Sequence, residues 1–188
     1  MKDNVYLFYG GESVEHDISI ITAMQVLKVC KDLIPVYIGR NGVMHIAKNL
    51  DDVKIYSNFQ KLAKGVQDVT FVNGKPYLAV KKGEKYSKFL PVGFALLCTH
   101  GKFGEDGELQ GILESCHIPY SSSNNISCAI CMDKIFMKDV FVSRKIPTVK
   151  SYPLNYYDYL VGKEKVKKEI EKEIKYPLIL KPARLGSS

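Results

Sequence analysis

The sequence predicts an α/β fold in which a parallel sheet carries helices and is followed by a smaller, mostly helical segment. Residues 5–9 and 94–98 are short runs of almost wholly apolar residues, a pattern typical of strands buried on both faces. A polar loop with glycines follows each run, and apolar residues at helical spacing follow each loop. Strand, loop and helix in this order are the repeating unit of parallel α/β sheets.

Composition limits the classes of protein and of partner. The 188 residues are 46% hydrophobic, which is enough for the core of one or two domains. The formal net charge of +7 would suit an anionic partner, but much of the surplus lies in residues 163–175, where Lys and Glu alternate as on a solvated helix. No aromatic-flanked basic motif is present, so we expect no nucleic acid, whereas nucleotides remain candidate ligands.

The cysteines and the N-terminus indicate a cytoplasmic protein. The 5 cysteines are odd in number and lie mostly in apolar runs, as reduced core residues do. Cys128 and Cys131 have a metal-like spacing, but no second pair accompanies them, so we interpret them as core residues of a helix. The N-terminus is too short and acidic for a signal peptide, and no run approaches the ~18 apolar residues of a membrane span.

The loop after the first strand, residues 10–16, reads Gly-Gly-Glu-Ser-Val-Glu-His. It lacks the third glycine of the dinucleotide-binding fingerprint, which disfavours NAD. Two carboxylates and a histidine suit an ammonium ligand better than a pyrophosphate. A turn without a ligand is the alternative. The helix that follows is indicated by Ile20, Met24 and Leu27, with Ser13 or Asp17 available as its N-cap.

The stretch from 98 to 111 is the feature around which the rest of the chain is arranged. It places His100 at the exit of a buried strand, then several glycines, then a helix. In open parallel sheets ligands bind at this position, where the N–H groups of the next helix face the crevice. The alternative is a tight turn in which acidic residues complement the helix dipole. They are Glu105, Asp106 and Glu108.

The remaining elements follow in order along the chain. We expect strands at 33–38, 43–47, 69–72, 76–80 and 118–120, with Asn-Gly turns that put 40–90 at an edge of the sheet. After a polar hinge at 121–125, we expect helices at 126–144 and 163–174 and strands at 148–152 and 176–182. The last predicted strand leads into a glycine-serine loop, and no further element follows to pack on them, so the second domain is expected to be incomplete. The boundaries are therefore 1–123 and 124–188.

Four motifs in this order resemble the D-alanine–D-alanine ligase family of ATP-grasp enzymes. They are GGESVEHDIS at 10–19, HGKFGEDGELQG at 100–111 with IPY at 118–120, MDK at 132–134, and KPARLGSS at 181–188. The resemblance covers the whole chain but about the first half of such an enzyme. It implies a Rossmann-like parallel-sheet domain at 1–123 and an incomplete ATP-grasp central domain at 124–188, with the C-terminal domain absent. Cys131 and the serines at 121–122 depart from the family pattern.

The resemblance also implies an activity. The family makes peptidoglycan precursors for the cell wall in the cytoplasm: ATP phosphorylates the carboxylate of one D-alanine, and the amine of a second attacks the acyl phosphate. The complete enzyme is expected to be a homodimer that uses Mg²⁺. Because the metal ligands are expected beyond residue 188, we expect this fragment to be inactive. The alternatives are a D-alanine–D-serine or D-lactate ligase, another ATP-grasp carboxylate-amine ligase, and a non-catalytic Rossmann-like binding module.

The resemblance assigns roles to individual residues. It implies that Glu15 anchors the ammonium of the first D-alanine, and that the catalytic Ser187 hydrogen-bonds towards it. It implies that His100 and Ile18 contact the same substrate. The residues that it assigns to the phosphates of ATP are Lys134, Lys181, Gly186, Ser187 and Ser188.

Overall fold

The computed structural model describes residues 4–185, which form two compact units divided after Ala129. The first unit contains a seven-stranded sheet with the strand order β6-β5-β4-β3-β2-β1-β7. The strands are β1 (Val5–Gly10), β2 (Ile34–Ile38), β3 (Met44–Ile46), β4 (Gln67–Val72), β5 (Lys75–Lys82), β6 (Lys85–Pro91) and β7 (Phe94–Leu97).

The parallel part of the sheet consists of β1 with β2 on one side and β7 on the other. Leu7 and Phe8 on β1 are wholly buried, which confirms the prediction of a strand covered on both faces. The predicted strand at 118–120 is reduced to a single parallel bridge between Tyr120 and Ala95 of β7. Because β1 and β7 are parallel neighbours, their carboxyl ends lie side by side.

The sheet is mixed: the expected parallel pairing is found for β1, β2 and β7, whereas the hairpins expected at 40–90 make the rest of the sheet antiparallel. The strands β2 to β6 pair antiparallel in succession. A parallel neighbour needs a crossover of a dozen or more residues, and the turns at Asn73–Gly74 and around Gly83 are too short for one. The strand β6 was missed because its lysines and aromatic residues lack the alternation of a half-buried strand. Its Lys85 and Lys88 are exposed, as is usual at the edge of a sheet.

Helices cover both faces of this sheet. In the first unit these are α1 (His16–Val29), α2 (Phe59–Leu62) and α3 (Glu108–Ser115); α4 (Asn125–Met132) crosses the division after Ala129, and α5 (Lys134–Ser143) and α6 (Tyr156–Glu173) belong to the second unit. The helix α1 packs its Ile20 against Leu7 on one face, whereas α3 packs Leu109 in the cluster that contains Phe8 on the other. A 3-10 turn at Val53–Ser57 completes the α1 side. The helices of the two predicted βα units thus lie on opposite faces of the sheet.

The second unit is mostly helical, and several of its predicted elements are wrong. The expected single helix at 126–144 is divided into α4 and α5 at Asp133, whose side chain caps α5. Among the described residues, neither 148–152 nor 176–182 forms a strand. A strand needs a neighbour for its backbone hydrogen bonds, and no strand is present in the described part of this unit. Within residues 4–185, every helix is too short or too polar to cross a lipid bilayer.

Candidate functional site

Two loops, residues 10–15 and 98–107, meet at the carboxyl edge of the parallel strands. A buried hydroxyl on α1 joins them: Gly10 N donates to Ser19 Oγ at 2.7 Å, and Ser19 Oγ donates to Cys98 O at 2.6 Å. Ser19 is wholly buried. Because its single hydroxyl satisfies one backbone group at the end of each strand, the two loops are held in a fixed relation.

The first loop makes a sharp turn after β1, and the buried side chain of His16 holds it in place. Gly10 has φ +92°, and a Cβ there would overlap the carbonyl of Ile38, so glycine is required. His16 is buried and contacts the Gly11 carbonyl through Nδ1 at 2.6 Å and the Tyr37 hydroxyl through Nε2 at 3.1 Å. Neither predicted N-cap is used, because Glu15 occupies that position in α1 without a capping side chain.

Glu15 lies against the second loop. Its backbone N–H donates to Ser13 Oγ at 3.0 Å, which turns the chain into α1. A Cβ added to Gly101, which has φ +66°, would overlap Ser13 Oγ and would lie 2.8 Å from Glu15 Oε2. The half-buried Glu15 carboxylate is therefore in contact with the backbone next to His100. The structure thus brings these two predicted residues into one site.

A second carboxylate contacts Gly101 through its backbone N–H. Gly101 N donates to Glu105 Oε2 at 2.8 Å, and Glu105 Oε1 lies 3.8 Å from His100 Nδ1. The His100 side chain is 30% exposed, so its ring is open to the crevice. Two carboxylates beside one glycine make this point negative, which suits the ammonium group of a ligand. Glu105 was part of the predicted motif, but its spacing in the sequence did not indicate that its carboxylate would lie near the same glycine as that of Glu15.

The beginning of α3 is not open for a ligand in the way that the sequence indicated. Asp106 accepts from Phe103 N at 2.7 Å through Oδ2 and from Glu108 N at 3.1 Å through Oδ1. These contacts form a tight turn before α3, as the alternative interpretation expected, whereas the role of the acidic residues as complements of the helix dipole stays a prediction. Gly107 precedes α3 with φ +94°, which completes a tight entry into the helix.

Ile18 and Thr22 lie on α1 beside this site. Ile18 is 54% exposed in the first turns of the helix and is free to contact a ligand. Thr22 Oγ1 lies 3.2 Å from His100 Nε2. Thr22 was not predicted, because an isolated threonine within a helix carries no motif signal.

In the second unit Lys134 contacts residues 183–185, the last residues that the structure describes. Lys134 N donates to Ala183 O at 3.0 Å, and its Nζ donates to Leu185 O at 2.6 Å. Arg184 Nε contacts Asp133 Oδ2 at 2.7 Å, and the Arg184 guanidinium holds the pKa of that carboxyl below its usual value. Lys181 is exposed in the same segment. The predicted phosphate-loop residues Gly186, Ser187 and Ser188 lie outside the described residues.

In this geometry the first unit is an α/β domain whose candidate site lies at the carboxyl edge of adjacent parallel strands. Over residues 4–123 the chain matches the family described as "D-ala D-ala ligase N-terminus", and it belongs to that family. The resemblance inferred from the motifs is thereby confirmed.

Comparison with individual proteins gives the same result. The chain is 39% identical to a D-alanine–D-alanine ligase of Thermosipho melanesiensis, over 98% of this chain and 50% of the relative. It is 32% identical to a D-alanine–D-alanine ligase of Chlorobium chlorochromatii, over 100% of this chain and 54% of the relative. The chain thus spans about half the length of the curated relatives it matches.

Two solved structures share the fold of the whole chain. The VanG D-Ala:D-Ser ligase from Enterococcus faecalis matches with a TM-score of 0.81 and 26% identity, over 100% of this chain and 54% of that structure. The D-alanine-D-alanine ligase from Coxiella burnetii matches with a TM-score of 0.79 and 25% identity, over 100% of this chain and 53% of that structure. The mixed α/β architecture is therefore that of these ligases.

Proposed function

We propose that this chain is the N-terminal part of an ATP-dependent D-alanine–D-alanine ligase, and that its first unit holds the first D-alanine. The observation that supports this most directly is that two carboxylates, Glu15 and Glu105, both lie close to Gly101, the residue after His100. An amino acid carries an ammonium and a carboxylate on adjacent carbons. The acidic pair suits the ammonium, and the imidazole suits the carboxylate.

In this proposal each predicted residue has a chemical task. Glu15 binds the ammonium of the first D-alanine, and Ile18 contacts its methyl group. His100 donates towards its carboxylate while that carboxylate accepts the phosphoryl group of ATP. The amine of the second D-alanine then attacks the acyl phosphate, and phosphate leaves.

The second half of the chain is assigned to ATP. Residues 124–188 would be part of an ATP-grasp central domain in which positive side chains and a glycine-serine loop hold the phosphates. These are Lys134, Lys181, Gly186, Ser187 and Ser188, and Ser187 would also reach towards Glu15. Mg²⁺ would neutralise phosphate charge when bound, and its ligands would lie outside this chain. The complete protein would act in the cytoplasm as a homodimer.

A D-alanine–D-serine ligase is the second candidate, since one structure that shares the fold carries that name. The first unit binds the substrate that both reactions have in common, so its geometry favours neither. The difference would lie in the site for the second substrate.

The test is an assay of the complete gene product with ATP and D-alanine, measuring phosphate release and the dipeptide. Phosphate and dipeptide in equal amounts are expected with D-alanine, and neither with L-alanine as the control. Dipeptide formation with D-serine in place of the second D-alanine would favour the second candidate. Binding of D-alanine without any phosphate release would favour a binding module and contradict the proposal. The 188-residue chain alone is expected to show no turnover above background.

A further inference from the structure

Thr22 connects the first helix to the histidine of the second loop. Its Oγ1 donates to Ile18 O at 3.0 Å, one turn earlier in α1, and lies 3.2 Å from His100 Nε2. The two residues are 78 positions apart in the sequence, so the contact exists because β1 and β7 are neighbours. His100 also faces Glu105, through the other ring nitrogen, at 3.8 Å.

The hydroxyl of Thr22 has a single proton, and this limits how the contacts can be made. A carbonyl oxygen can only accept, so the Thr22 proton is used in the bond to Ile18 O. The lone pairs of Thr22 Oγ1 then remain to accept a hydrogen bond from the N–H of His100 Nε2. This is the arrangement in which both contacts of the hydroxyl are hydrogen bonds, and it places a proton on Nε2.

We propose that Thr22 is a positioning residue for His100, which it holds through a hydrogen bond from a protonated Nε2. The inference rests on the proposed function, because it specifies how His100 would meet the first D-alanine. With Nε2 directed to α1, the nitrogen on the side of Glu105 and the crevice is Nδ1. The substrate carboxylate would therefore be met by Nδ1, and because a neutral imidazole has a single N–H, Nδ1 donates to that carboxylate only in the form of the ring that carries a proton on both nitrogens.

The first test is the protonation of the His100 ring nitrogens in the ¹⁵N-histidine-labelled chain, measured by NMR. The chain has 4 histidines, and the signals of His100 are those lost in His100→Gln. A signal typical of a protonated Nε2 is expected, weakened in Thr22→Val and restored in Thr22→Ser. Thr22→Val keeps the shape of the side chain and Thr22→Ser keeps the hydroxyl. An unprotonated Nε2 in the natural sequence, or a spectrum unchanged by Thr22→Val, would overturn the inference.

The second test is steady-state kinetics of the complete gene product. Loss of one hydrogen bond to His100 should raise KM for the first D-alanine about threefold to tenfold, with KM for ATP unchanged. Thr22→Ser should restore most of the loss, whereas a change that came from a destabilised fold would alter both constants. Equal KM values for D-alanine in the Val and Ser variants would contradict the positioning role. An inactive natural protein would contradict the proposed function instead and would leave the NMR result to decide on Thr22.

Discussion

At the scale of single residues, the candidate site depends on how closely a carboxylate approaches a glycine backbone. Gly101 leaves room for Ser13 Oγ and Glu15 Oε2, and its N–H holds Glu105. Any larger residue at this position would fill the space that the Glu15 carboxylate now takes. The glycine and the two acids therefore act together, and each can be tested separately.

Replacing Glu15 by Gln should weaken the use of D-alanine by the complete gene product. The change keeps the shape of the side chain but removes a charge-assisted contact worth about 1.5 to 3 kcal/mol. The specificity constant for the first D-alanine should then fall by about one to two orders of magnitude. KM for ATP should stay the same. Glu12→Gln removes an equal charge from an exposed position in the same loop and is the control. Equal kinetics in the two variants would leave Glu15 without a role as anchor.

Gly101→Ala should harm both the fold and the site. Placing alanine at φ +66° costs about 1 to 2 kcal/mol of stability, and the new Cβ would displace the Glu15 carboxylate. Gly83→Ala is a matched control, because Gly83 has φ +62° and no atom within 4 Å of the added Cβ. Urea unfolding should show a loss in both variants, and the loss should be larger in Gly101→Ala because its Cβ also overlaps Ser13 Oγ. D-alanine kinetics should deteriorate about tenfold in Gly101→Ala alone, at the lower end of the loss expected for Glu15→Gln. Similar kinetics in both variants would show that the contact has no effect.

At the scale of secondary-structure elements, the buried serine of α1 fixes the ends of two strands. Ser19→Ala leaves the N–H of Gly10 and the carbonyl of Cys98 buried without that partner. The expected loss is about 2 kcal/mol or more in the free energy of unfolding. Ser115→Ala removes an exposed hydroxyl that bonds one turn back within α3, and it should change stability little. Urea unfolding of the two variants compares them, and equal midpoints would contradict the structural role of Ser19.

The start of α5 should make the second unit sensitive to acid. Its N-cap Asp133 has a pKa lowered from 3.8, first by its hydrogen bond to Arg184. A carboxyl with a lowered pKa stabilises the folded state fully above the unfolded value, and this contribution is lost as the pH falls through the lowered value. The helical signal of α5 should therefore weaken below about pH 4. Asp133→Asn keeps a capping side chain but should remove this pH dependence, as measured by circular dichroism in urea. An identical acid transition in both proteins would contradict the assignment.

Short-range patterns identified most elements of the first unit but not its long-range contacts. Apolar runs and Asn-Gly turns correctly indicated β1 to β5 and β7, because burial and turn geometry depend on neighbouring residues. The strand β6 and the absence of strands at 148–152 and 176–182 depend instead on which partner lies alongside. Glu15 and His100 were predicted for one crevice because each follows a buried strand of the parallel sheet. The contact of Thr22 with His100 was not predicted, because it depends on how α1 lies against the second loop.

At the scale of the whole molecule, the boundary of the first unit can be tested by truncation. The family match ends at residue 123, whereas the compact unit continues to Ala129. In this interval Cys128 is buried and Asn125 N donates to Glu114 Oε1 at 3.2 Å. A chain ending after residue 129 should therefore be more stable than one ending after 123, by about 1 to 2 kcal/mol. Urea unfolding followed by circular dichroism measures the difference. Equal midpoints would place the boundary at the earlier position.

The seven-stranded sheet has a consequence for how this family can vary. The strands β3 to β6 are inserted between the two βα units that carry the site, and Ser19 and Cys98 meet across 79 positions of sequence. The entropy of closing a flexible loop grows slowly, by about 0.6 kcal/mol for each doubling of its length. Insertions or deletions in the turns of the antiparallel strands should therefore cost little and leave the paired loops in place. Length differences among relatives are expected to accumulate there, while the lengths of the two glycine loops stay constant.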